Sequence, residues 1–191
     1  MKVRDNEMPD EFVWAGIFSP ESVLASFNIN VETEFVVEFG CGTGNYTLPV
    51  ARVVAGAVFA YDIDPEMVAA VCEKCTQEGI GNVVAEHRDL VAEGTGLPAD
   101  FADVALLFNV LHQGEPAILI NEAYRVLKPG GIAAVIHWKY DETTPIGPSI
   151  KMPPHPEQCI EWGKDAGFIF YLHERFDFRP NNYWLQFRKP L

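Results

Sequence analysis

Short apolar runs alternate with amphipathic stretches along this chain, and that alternation limits its fold more than any other feature. The clearest run, Phe35-Val36-Val37-Glu38-Phe39, ends at Gly40 and reads as a buried strand. Ala57 to Tyr61, Asn82 to Glu86, Asp103 to Phe108 and Ile132 to Trp138 repeat the pattern. Between them, Tyr46 to Val54, Pro65 to Gln77 and Pro116 to Leu127 read as helices. Asp64 is placed to cap the second of these, with Pro65 at its first position and Gly79 beyond its end. Lys128-Pro129-Gly130-Gly131 is expected to break the chain between the third helix and the fifth strand. A shorter helix opens at Pro20, after Ser19 as N-cap, and Arg88 to Asp100 reads as a loop with one helical turn. Toward the end come a long loop, a helix from Pro156 to Ala166, and strands from Phe168 to Phe176 and from Tyr183 to Arg188.

Strands that alternate with helices predict an α/β fold, a doubly wound parallel sheet with helices on both faces. The last two strands are separated only by a turn around Pro180-Asn181-Asn182, so they must form a hairpin. Parallel neighbours would need a longer crossover, and the sheet is therefore mixed. In open sheets of this kind ligands bind beyond the carboxyl ends of the strands, where the strand order reverses.

At 191 residues the chain suits a single domain over 1–191, with 1–30 as a cap and 141–154 as a loop on the substrate side. Its net charge of -13, from 14 basic against 27 acidic residues, disfavours nucleic acid as a partner. Arg175, Arg179, Arg188 and Lys189 form the one loose basic group and read as a solvated end. No apolar stretch is long enough to span a membrane, and the charged N-terminus does not resemble a secretory signal. A cytoplasmic location is therefore expected, and a homodimer is compatible with the sequence. Cys72 and Cys75 lack the second ligand pair that a zinc site needs, so no metal is expected. With Met67, Val68 and Val71 they fall on one helical face and read as core.

The loop after the first strand, Gly40-Cys41-Gly42-Thr43-Gly44-Asn45, carries the strongest chemical signal. Glycines allow positive φ and close backbone approach, and the following helix turns its free N–H groups toward a ligand. The spacing is G-x-G-x-G, with Asn45 where a dinucleotide fingerprint has its third glycine. Asp62 ends the second strand, where a carboxylate can accept both hydroxyls of a ribose. Asp64 suits the helix cap, which leaves Asp62 for the ligand, and Ile63 could cover one face of a base. Asp89 follows the third strand and suits either an adenine amine or a plain surface position; Leu90 could stack nearby. Asn109, Val110 and His112 emerge after the fourth strand.

These blocks resemble the class I S-adenosylmethionine-dependent methyltransferases, in particular the group that methylates small molecules such as quinone precursors. The matching pieces are VVEFGCGTGNYTLPVA, AYDIDPEMV, AEHRDL, ADVALLFNVLHQ and EAYRVLKPGGIAAVIHW, in the family's order and spacing from Glu34 to Trp138. The resemblance implies a Rossmann-like sheet of order 3-2-1-4-5-7-6 with strand seven antiparallel. It implies S-adenosylmethionine as cofactor, S-adenosylhomocysteine as product and a small-molecule methyl acceptor as partner. Glu38 and the turn Gly40, Cys41, Gly42 and Gly44 would hold the methionine moiety. Asp62 would bind the ribose, Ile63 and Leu90 would flank the adenine, and Asp89 would take its amine. Asn109 and Val110 would line the wall beside the sulfonium.

Methyl transfer needs alignment and exclusion of water before it needs a base, so a dedicated catalytic residue is not required. His112 and His137 are candidates for one, but a packing role at a helix start for the first and an interior strand position for the second are the favoured readings. Phe12, Trp14, Phe18, Trp138, Tyr140 and the stretch from Pro145 to Pro154 are expected to build the acceptor pocket. A non-catalytic cofactor binder of the same fold is the alternative; a nicotinamide oxidoreductase is disfavoured by Asn45 and by RVLKPGG.

Overall fold

A computed structural model describes residues 20–112, 115–138, 153–174 and 182–191. The elements run α1 (Pro20–Ser26), β1 (Phe35–Phe39), α2 (Thr47–Ala51), β2 (Ala57–Asp62), α3 (Pro65–Glu78), β3 (Val83–His87) and α4 (Leu90–Glu93). They continue with β4 (Ala102–Phe108), α5 (Pro116–Val126), β5 (Leu127–Trp138), α6 (Pro156–Asp165), β6 (Ile169–Glu174) and β7 (Asn182–Arg188). The seven strands form one sheet in the order β3-β2-β1-β4-β5-β7-β6. All neighbours are parallel except β5–β7 and β6–β7, which are antiparallel. The expected mixed sheet and its order are both present.

The period-two alternation of the strands divides the core. Val36, Val104, Leu106 and Ile136 face α1 and α2, while Ala60 and Cys41 close against α3. Val37, Leu107, Val135 and Leu185 face the other way, onto α5 and α6. Each such side chain removed from water adds roughly 1.5–3 kcal/mol, which fixes the register of the strands. A slip of one residue in β1 would exchange the apolar Val37 for the carboxylate of Glu38. Register alone thus holds Glu38 on the α2 side, between Ala60 and Leu106.

The helix before the Lys128–Gly131 breakers stops as expected, at Val126, but the breakers lie inside the fifth strand, which already begins at Leu127. They form a bulge within it: Leu127 pairs with Ala102, and the ladder resumes with Ile132 opposite Val104. Gly130 takes a φ of +82°, and a Cβ on Gly131 would sit 2.8 Å from the Lys128 carbonyl. Only glycine fits there, so the breakers bend a strand that the sheet keeps paired. The helix expected from Tyr46 to Val54 shortens to Thr47–Ala51 and unwinds in a turn before Gly56.

Two other expectations are corrected. Cys72 is exposed, while Val71 and Cys75 are buried, because Cys72 falls off the stripe they share. Lys189 is not a solvated end: its Nζ donates to Asp100 (2.7 Å) and to the carbonyls of Tyr124 (2.9 Å) and Leu127 (2.8 Å). A lysine there satisfies carbonyls left unpaired at the end of α5. Among the described residues, no helix is long and apolar enough to cross a membrane. Nor could any group of three or more His, Cys, Asp or Glu side chains among them hold a metal ion. The segment 1–19, including Phe12, Trp14 and Phe18, and the stretch 139–152 with Tyr140 lie outside the described residues, as do Arg175 and Arg179.

Candidate active site

The carboxyl ends of β1, β2 and β4 meet over the glycine turn. Gly40 and Cys41 both donate their backbone N–H to the Tyr61 carbonyl, at 2.8 and 2.9 Å, which folds the turn back onto β2. Gly40, Gly42 and Gly44 adopt φ of +77°, +51° and +88°. At Gly44 the spatial reason is added to the dihedral one, since a Cβ would lie 2.7 Å from Leu48 Cδ1. Among the described residues, a Cβ on Gly42 would meet nothing within 4 Å, so they leave the turn open there. Lys74 reaches from α3 to donate to the Thr43 carbonyl at 2.9 Å. The Cys41 side chain points the other way, into the core, and burial pushes its thiol far up. What Cys41 brings to the site is backbone.

Asp62 is less free than its sequence position suggested. One oxygen, Oδ2, accepts from the Gly42 N–H at 2.9 Å, and Oδ1 accepts from the Asp64 N–H at 2.9 Å. The carboxylate therefore clamps the turn to the start of α3 and keeps one further lone pair on each oxygen. Burial raises its pKa, against the pull of those two backbone bonds. Asp64 is the cap of α3 as expected, accepting from the Glu66 N–H at 2.9 Å.

Glu38 lies beneath the turn with only 3% of its surface exposed. Its Oε2 accepts from Thr47 Oγ1 at 2.5 Å, across the first turn of α2. Burial, opposed by that hydrogen bond and reinforced by the Asp62 charge, pushes its carboxyl up to about 8. Without a cation beside it, this side chain holds its proton at neutral pH.

Farther along the sheet edge, Asp89 caps α4 through Oδ1, which accepts from Val91 (3.0 Å) and Ala92 (3.1 Å). Asp89 is thus a helix cap, a role that neither of the two readings gave it, and its Oδ2 makes no hydrogen bond among the described residues. Leu90 is buried, while Ile63 is 47% exposed and fixed by its carbonyl, which meets His87 Nε2 at 3.0 Å.

On the other side, β4 ends at Asn109, whose φ of +53° is uncommon for a residue with a side chain. Its N–H donates to the Ile136 carbonyl at 2.8 Å, and its buried Oδ1 has no partner among the described residues. Val110 packs so close to Gly40 that a Cβ there would lie 3.2 Å from Val110 Cγ2. His112 and His137 meet, with Nδ1 of the first 3.2 Å from Nε2 of the second. Trp138 is buried nearby on β5.

The turn, Asp62, Asn109 and Val110 are therefore one cluster, with Asp89 and Leu90 at its β3 end and the histidines at its β5 end. Three participants lie outside the sequence reading: Thr47 under Glu38, Lys74 on the turn, and the contact between the two histidines. Thr47 was detectable from its place in the first turn after the glycines. The histidine contact needed the β4–β5 register, in which Phe108 pairs with Ile136.

The residues present fit an adenosyl cofactor. Among the described residues the turn is left open at Gly42, a buried carboxyl and a clamped carboxylate offer acceptors for an ammonium and for hydroxyls, and the orphaned Asn109 oxygen awaits a donor.

Comparison with known proteins agrees with that geometry. A family model described as a methyltransferase domain matches residues 37–135, just over half of the chain. A ubiquinone/menaquinone biosynthesis C-methyltransferase from Erwinia tasmaniensis is 28% identical over 155 residues, covering 76% of this chain and 60% of that one. The 2-methyl-6-phytyl-1,4-hydroquinone methyltransferase of Arabidopsis thaliana is 32% identical over 145 residues, covering 70% and 39%. The chain thus spans about 60% of the first relative's length and less of the second's. The crystal structure of a SAM dependent methyltransferase from Aquifex aeolicus superimposes with a TM-score of 0.80 at 26% identity, over 90% of each chain.

Proposed function

The chain belongs to the methyltransferase domain family matched over residues 37–135, and from that membership we propose that it transfers a methyl group from S-adenosylmethionine to a small-molecule acceptor. The observation that carries this reading is the clamp between the Gly42 N–H and Asp62 over a buried Glu38. When bound, the cofactor supplies a methyl group on a sulfonium, activated because the sulfur departs as a neutral thioether.

The chain's own residues then bind, orient and exclude water. Glu38 and the glycine turn receive the methionine moiety, and the remaining lone pairs of Asp62 accept the ribose hydroxyls. Ile63 and Leu90 flank the adenine, and Oδ2 of Asp89 takes its amine. Asn109 and Val110 form the wall against which the sulfonium is held. Most of the rate enhancement then comes from alignment in a dry site, worth up to roughly 7–11 kcal/mol in well-oriented reactions.

The acceptor is proposed to be a planar hydroquinone-like molecule. Support comes from the two relatives named above, a methyltransferase of quinone biosynthesis and one named for a hydroquinone. The proposed location is the cytoplasm. Calorimetry with S-adenosylmethionine, S-adenosylhomocysteine and NADH tests the cofactor, and binding of the two adenosyl ligands alone is expected. NADH binding with neither of them would refute the reading. Transfer of a labelled methyl group to 2-methyl-1,4-hydroquinone tests the acceptor, and no transfer from a cofactor-bound chain would remove that class.

A further inference from the structure

Glu122 lies on α5, outside the loops that carry the site, yet its carboxylate is heavily engaged with one of them. Its Oε1 accepts from the Thr95 N–H (2.7 Å), from the Thr95 hydroxyl (2.6 Å) and from Arg125 Nη2 (2.7 Å). Its Oε2 accepts from Arg125 Nε at 2.7 Å. We propose that Glu122 is a positioning residue for the cofactor base: through Gly94 and Thr95 it fixes Asp89, and so makes the site prefer an amino purine to an oxo purine. The inference rests on the cofactor-binding part of the reading above.

The connection from Glu122 to Asp89 is short. α4 is one turn long, with Asp89 at its start and Gly94 at its end. Asp89 Oδ1 caps the first end, and the Asp89 N–H donates to Glu93 Oε1 at 3.3 Å. At the other end Gly94 donates to the Leu90 carbonyl at 3.2 Å and takes a φ of +62°. A Cβ on Gly94 would lie 3.0 Å from Glu122 Oε1, so the helix ends against the carboxylate. Thr95 follows, with 2% of its surface exposed. So short a helix has too few internal bonds to hold its own place. What places α4 is the burial of Leu90 and the anchor on Glu122.

The loop beyond is tied to the same helix. Asp100 and Phe101 donate to the carbonyls of Arg125 (3.1 Å) and Val126 (2.8 Å). Between the two anchors Gly96 lies against the Arg88 guanidinium, where a Cβ would be 3.2 Å from Nη1. The Arg88 N–H donates to the Asp62 carbonyl at 2.9 Å. Asp89 is thus held through both neighbours, by Arg88 toward β2 and by α4 toward α5. Burial favours the protonated form of Glu122, but the bonds from Arg125 and Thr95 outweigh it and hold its carboxyl below the usual range. The anchor therefore stays charged at neutral pH, and bonds to an ionised acceptor are about twice as strong as neutral ones.

The consequence concerns the base. Adenine carries an exocyclic amine, whose N–H a carboxylate can accept. Hypoxanthine carries a carbonyl in its place, an acceptor facing an acceptor. Telling them apart needs Oδ2 of Asp89 aimed at that group, because hydrogen bonds weaken steeply with angle. A displaced α4 keeps the carboxylate but misdirects it, so selectivity falls before the fold does.

The test is calorimetry of the full chain with S-adenosylhomocysteine and S-inosylhomocysteine, which differ in that group. The parent should bind the adenosyl ligand about tenfold or more tightly, as expected where a charged hydrogen bond is replaced by facing acceptors. Asp89→Ala should erase the preference. Glu122→Gln cannot accept at both ends and should lower the affinity ratio at least about threefold, within the range for coupled contacts. Thr95→Val should lower it in the same direction, whereas Thr95→Ser keeps the hydroxyl and should retain it. Added to Asp89→Ala, Glu122→Gln should change the ratio no further, because both act through one contact. A loss of stability alone weakens both ligands equally and leaves the ratio unmoved. An unchanged ratio in Glu122→Gln overturns the inference; should that variant not fold, an unchanged ratio in Thr95→Val does so. A parent chain indifferent to the base overturns it as well. A parent that binds neither ligand refutes the cofactor reading, whereas binding with an unmoved ratio refutes only the anchor.

Discussion

Asp62 shows how much one carboxylate can hold. It joins the glycine turn to α3 through two backbone N–H groups and offers its outer lone pairs to a ligand. Asp62→Ala should raise the dissociation constant for S-adenosylhomocysteine by about tenfold or more, since a charged hydrogen bond is worth roughly 1.5–3 kcal/mol. Calorimetry checks the constant, and an unchanged value would contradict the assignment. Glu38 makes a different prediction, about pH. Its carboxyl sits at about 8 in the fold, well above the ordinary 4.5 of a glutamate. A raised pKa means that the folded state holds the proton more tightly, so stability is lost as pH rises toward the folded value. Between about pH 7 and about pH 8.5 the ligand-free protein should lose about 1 kcal/mol to this group. His112 and His137 have lowered values and are already neutral there, so they do not mask the effect. Urea titrations should show the loss in the parent chain and a flatter profile in Glu38→Gln.

At the scale of elements, α6 is fitted to β7 through a single missing side chain. A Cβ on Gly163 would lie 2.5 Å from Phe187 Cε1. The clash is with a rigid ring that also packs on Phe168 and Phe170, so it cannot swing away. Gly163→Ala should therefore cost about 1–3 kcal/mol of stability in urea despite its better helix propensity, and should leave cofactor affinity unchanged because α6 is remote from the turn. The same scale explains what the sequence made legible. Caps and turns are local, so Asp64 could be told from Asp62, and Gly79 could be placed at a helix end. The strand order followed from a short hairpin connection combined with a family resemblance. What escaped needed partners distant in sequence. The bulge at Lys128–Gly131 looks like a break until Ala102 and Val104 are seen to pair on either side of it. Lys189 looks solvated until it is set against Asp100 and the end of α5. The two histidines, 25 positions apart, become a pair only once β4 and β5 are in register.

At the scale of the whole molecule, charge gives the remaining prediction. The chain carries a net -13, and two of the residues around the proposed cofactor site, Asp62 and Asp89, are acids besides the buried, protonated Glu38. S-adenosylmethionine has one more positive charge than S-adenosylhomocysteine, on its sulfonium, and is otherwise nearly the same shape. An acidic molecule should attract the donor more than the product, and clefts of one sign concentrate such fields. The attraction acts through solvent and is screened over about 10 Å at 0.1 M salt and about 3 Å at 1 M. Raising sodium chloride from about 0.02 M to about 0.5 M should therefore weaken the donor more than the product, lowering their affinity ratio by about threefold. Taking the ratio removes any effect of salt on the fold, because both ligands bind the same folded state. Paired calorimetric titrations measure it. A ratio independent of salt would mean that discrimination rests on contact at the methyl group alone, against the wall of Asn109 and Val110. A ratio that falls would mean that the acidity of the whole chain helps to load the donor and to release the product.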